Sequence, residues 1–82
     1  RINGYVLHSL RLKVLNIHNG LLSLRAHVNT LMDQRFGSLF DENIGKVHEM
    51  SRDLSILISR TEDILYNMLS CSYEIDYYTM KE

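Results

Sequence analysis

Eight apolar residues in the first third of the chain, Leu7, Leu10, Val14, Ile17, Leu21, Leu24, Val28 and Leu31, alternate in steps of three and four without a miss. That spacing keeps one stripe of a helix turned toward a neighbouring helix along its whole length, so it constrains the fold more than any other feature. A second register follows Gly37 and runs Phe40, Asn43, Val47, Met50, Leu54, Leu57, Thr61, Ile64, Met68, Cys71, Ile75 and Tyr78. Together they predict an all-α chain: a long helical hairpin of two heptad-patterned helices, forming a coiled coil or helical bundle with other chains. The apolar members of both registers, from Leu7 to Leu31 and at Val47, Met50, Leu54, Leu57, Ile64, Met68 and Ile75, are the expected interface core.

Capping residues place the boundaries of this single hairpin, which spans 1–82. Asn3 is a candidate N-cap, and the first helix is expected over about 4–36. Gly37 supplies a residue type that commonly ends helices, and Ser38 and Asp41 stand three apart, close to a capping box. The turn is expected at about 37–40 and the second helix over about 41–80. A turn this short favours antiparallel neighbours. Asn19-Gly20 is a turn dipeptide inside the first helix. The heptad phase passes through it from Ile17 to Leu21, so a continuous helix is expected, weakened there by about 1 kcal/mol.

Residues beside the two registers widen the apolar stripes. Leu12, Leu15, Leu22 and Ala26 do so in the first helix, and Ile44, Ile58 and Leu65 in the second. Three apolar positions per heptad suit bundles of three or four helices better than a two-stranded coil. At 1.5 Å per residue the second helix outruns the first by roughly ten residues. The overhang holds Tyr73, Tyr77 and Tyr78, a possible partner contact because tyrosine is favoured where an apolar ring and a polar tip are both used.

Charge is split along the chain. Residues 1–36 carry Arg1, Arg11, Lys13, Arg25 and Arg35 against Asp33, a balance of +4, and the remainder carries −5, for a net charge of −1. A basic helix followed by an acidic one favours folding back, or pairing with another copy, and sets orientation more than stability. Eighty-two residues are too few for a rich core, and two helices bury only one stripe each, so partner helices are expected, either self or other subunits. The lone Cys71 and the lack of an Asn-x-Ser/Thr acceptor fit a reducing, intracellular setting, cytoplasmic or nuclear. No apolar run reaches the length of a membrane span.

No catalytic, cofactor or metal site is expected. His8, His18, His27 and His48 include no pair four apart, the spacing that presents two ligands on one helix face. Leu10-Arg11, Val14, Ile17, Leu21-Leu22 and Leu24 resemble the opening helix of small all-α chorismate mutases. That resemblance covers about fifteen residues of generic heptad. Where the family places a second substrate-binding Arg, this chain has Val28. With no acid, base and nucleophile to assemble, the chain is not expected to be an enzyme. The expected role is a structural interaction module, as a homo-oligomer or as a subunit of a larger complex. The alternative is a regulatory or nucleic-acid-binding dimer that uses the basic first helix, although nucleic acid is not the favoured partner: four net positive charges over 36 residues, without interleaved aromatics, are thin.

Overall fold

The computed structural model describes residues 3–33 and 42–81, with side chains over 3–33 and 43–72. Two helices account for it: α1, Gly4–Asp33, and α2, Glu42–Lys81. They lie antiparallel against each other as an all-α hairpin measuring 66 × 14 × 13 Å. The expected turn at 37–40 and Phe40 lie outside the described residues. The same holds for the side chains of Tyr73, Ile75, Tyr77 and Tyr78, whose backbone belongs to α2.

Asn3 starts α1 as a cap. Its Oδ1 accepts from the amides of Tyr5 at 2.9 Å and Val6 at 3.4 Å, and its carbonyl accepts from Leu7 N at 3.0 Å. Two of the donors that a helix start leaves without intrahelical partners, those of Tyr5 and Val6, are thereby satisfied, and the Leu7 bond opens the helix's own ladder. α1 runs through Asn19-Gly20 without a break. The small hydroxylated residues do not interrupt the helices either. Thr30, Ser55, Ser70 and Ser72 each donate to the carbonyl four residues earlier, at 2.9 to 3.3 Å, and so stay satisfied within the helix.

The core is thin. Leu7, Val14, Leu54, Ile58 and Met68 are the buried hydrophobic side chains, and none of the described side chains is fully enclosed. Leu7, Val14 and Met68 form one cluster, with Leu65 and Cys71 packed against it. Thr61 is also buried, and its hydroxyl donates to Ile58 O at 2.8 Å within its own helix. It therefore sits at the seam without any polar link to α1 that would tie the register.

Candidate protein-docking face

The hairpin seam differs from the expected one by half. On α1 the positions turned toward α2 are Leu7, Arg11, Val14, His18, Leu21, Arg25, Val28 and Met32. On α2 they are Ile44, Val47, Ser51, Leu54, Ile58, Thr61, Leu65, Met68 and Ser72, with Cys71 beside them. Leu7, Val14, Leu21, Val28, Val47, Leu54, Thr61 and Met68 keep their expected places. The other half of each register moves on by one residue. Leu10, Ile17, Leu24 and Leu31 give way to Arg11, His18, Arg25 and Met32, while Met50, Leu57 and Ile64 give way to Ser51, Ile58 and Leu65. The reason is geometric. An apolar stripe of three positions per heptad is wider than one helix–helix seam, so a two-helix pairing covers one side of it and leaves the other open.

One flank of the seam is stitched by polar groups. Arg11 Nη2 donates to Ser72 Oγ at 2.7 Å, Arg25 Nη1 to Ser55 Oγ at 3.3 Å, and Ser51 Oγ to Asn29 Oδ1 at 3.0 Å. His18 Nε2 stands 3.6 Å from Glu62 Oε1, an ion-pair distance for a protonated ring but too long for a hydrogen bond. Accordingly Arg11 Nε and His18 Nε2 are buried without hydrogen-bond partners. Each link joins residues whose numbers fall on one helix as they rise on the other, which fixes the antiparallel register. The heptad spacing of apolar residues does not point to Arg11, Arg25, Ser51 and Ser72 as seam residues. A signal for them exists: Arg11, His18 and Arg25 recur every seven residues, opposite the descending series Ser72, Glu62 and Ser55.

The other flank is apolar. Leu10, Ile17, Leu24 and Leu31 each precede a seam residue of α1, and Met50, Leu57, Ile64 and Cys71 each precede one of α2. In an antiparallel pair such positions fall on the same side of the seam. The register sets Leu31 level with Met50, Leu24 with Leu57, Ile17 with Ile64, and Leu10 with Cys71. The seven large side chains of this ladder are 45–57% exposed, and Cys71, a free thiol, is half-buried. A contiguous apolar strip of this length is unusual on a surface and characteristic of a contact site. Leu15, Leu22 and Leu69 are also exposed on the polar flank, but His8, Asn29, His48, Ser55 and Glu62 break them up.

The basic character expected of α1 is largely folded inward. Arg11 and Arg25 are drawn into the seam, and Lys13 is the remaining outward-facing Lys or Arg among the described residues of that helix. Among the described residues no group of three His, Cys, Asp or Glu side chains could hold a metal ion, and no helix is long and apolar enough to cross a membrane. Comparison with protein-family models, with curated proteins and with solved structures finds no match to this chain.

Proposed function

We propose that this chain is a structural interaction module that mediates protein assembly by helical-bundle packing, without enzymatic activity of its own. The observation that supports it is the ladder from Leu31/Met50 to Leu10/Cys71, which presents on one side the more apolar half of both stripes. The hairpin's own seam contains two arginines, a histidine and two serines in places that could have held leucines. A thin core joined to an exposed apolar strip describes half of a bundle, whose missing side is supplied by helices of another chain.

A photo-crosslinking residue at position 57, introduced in the cells that make the chain, tests this. Protein adducts from position 57, with none from the outward-facing position 63, are expected. Failure of position 57 to yield any protein adduct overturns the proposal. Leu24→Asp and Leu57→Asp should each abolish the assembly, because each would place a charge without a partner in the contact. Both side chains are half exposed in the hairpin, so neither change buries a charge within the two-helix seam itself.

A further inference from the structure

Resting on that assembly reading, we infer that the occupant of the apolar ladder is a second copy of this chain, related by a twofold axis along the hairpin, so that the ends carrying Asp33 and Asn43 lie together in a four-helix bundle. Area is the first argument. Seven large side chains about half exposed offer roughly 600 Å² per copy, or about 1,200 Å² for two, which reaches the lower bound of a stable protein interface. The ladder also matches itself, since it is apolar at all four levels and meets its own copy without a charge in the middle.

Charge at the rim selects the direction. The positions just outside the ladder are Lys13, Gly20 and His27 on α1, and Lys46, Asp53, Arg60 and Asn67 on α2. A twofold axis along the hairpin keeps every residue at its own height and lays α1 of one copy beside α2 of the other. His27 then stands level with Asp53 of the second copy, Lys13 with Asn67, and Arg60 with Gly20. His27 Nδ1 donates to Ser23 O at 2.7 Å, so the ring offers Asp53 a second N–H only when it carries its extra proton. The opposite arrangement, with the axis across the hairpin, puts α2 beside α2. It sets Arg60 against Arg60, and like charges so placed count against a partner.

Sedimentation and light scattering of the whole chain test the inference. The expected mass is twice 9.6 kDa, falling to 9.6 kDa in Leu24→Asp and Leu57→Asp with at least about tenfold weaker association. Ile56→Asp changes an equally exposed side chain on the far side of α2 and should leave the dimer intact. Leu24→Ser, which adds no charge, takes its place if an aspartate variant loses its helicity. The native thiol reports direction. With the ends together, the two Cys71 side chains meet across the bundle and a short bis-maleimide joins them. In the opposite arrangement they are about 30 Å apart along the axis. A helical 9.6-kDa species at all concentrations overturns the second copy as occupant, and a dimer that resists the crosslinker overturns the arrangement. If the purified chain is monomeric while position 57 captures a different protein in cells, this inference fails and the assembly reading stands. If neither adduct forms, both fail.

Discussion

Arg25 and Leu24 are neighbours in sequence but serve opposite sides of the hairpin: the guanidinium reaches Ser55 across the seam, and the leucine stands outside it, about half exposed. The same division recurs at Arg11 with Leu10 and at His18 with Ile17. Stabilities of variants compare only at one fixed chain concentration, because association adds to apparent stability.

Arg11→Leu should raise the stability of the hairpin by about 1 kcal/mol. Its guanidinium makes one hydrogen bond, to Ser72, while Nε is buried without a partner. An unmet buried donor costs about 1–3 kcal/mol, and replacing such a group with a well-packed apolar side chain is often neutral or stabilising. Thermal unfolding followed by circular dichroism reads the sign. A loss of stability would mean that the Ser72 hydrogen bond outweighs the unmet donor.

Ile58→Ala should destabilise the chain by about 2–4 kcal/mol, because Ile58 is the most enclosed of the core hydrophobics at 3% exposed. Ile56→Ala, two residues away and 47% exposed, should stay within about 0.5 kcal/mol of the parent. Urea titration of both variants checks the contrast. Equal effects would place the seam on another face of α2.

Gly45→Ala should stabilise α2 by about 1 kcal/mol. The position is helical and exposed, and an added Cβ meets nothing within 4 Å. The gain is the difference in helix propensity between the two residues. A rise in melting temperature is the expected readout. A fall would reveal a close neighbour at that site.

Asn3→Ala should cost about 1 kcal/mol and loosen the first turn of α1. The amides of Tyr5 and Val6 lose their acceptor, so their hydrogen exchange should speed up relative to amides in the middle of the helix. Asn3→Asp, which keeps an acceptor oxygen beside the positive end of the helix dipole, should restore the protection.

The heptad spacing made the fold legible in outline: two helices, antiparallel, with α1 continuous through Gly20. It also placed Leu7, Val14, Leu54 and Met68 at the seam, because these lie at the centre of stripes too wide to be covered by one neighbour. It did not reveal which edge of each stripe the hairpin would use. Hydrophobicity alone favours Leu10 and Leu24 over Arg11 and Arg25, since the spacing says nothing of what stands opposite. That choice depends on a pairwise match between α1 and α2, in which arginine heads meet serine hydroxyls at the edge of the seam. Ile44, Ile58 and Leu65 read as flanking residues for the same reason, and the structure turns them toward α1.

The absence of any fully enclosed side chain among the described residues bears on how the chain behaves in bulk. If the ladder is covered by another chain, most of the dry interior arises on encounter, and folding becomes a reaction of second order. The melting temperature then climbs with the amount of protein present. A variant at Leu24 or Leu57 would show itself as a shift in the concentration at which the chain holds its shape.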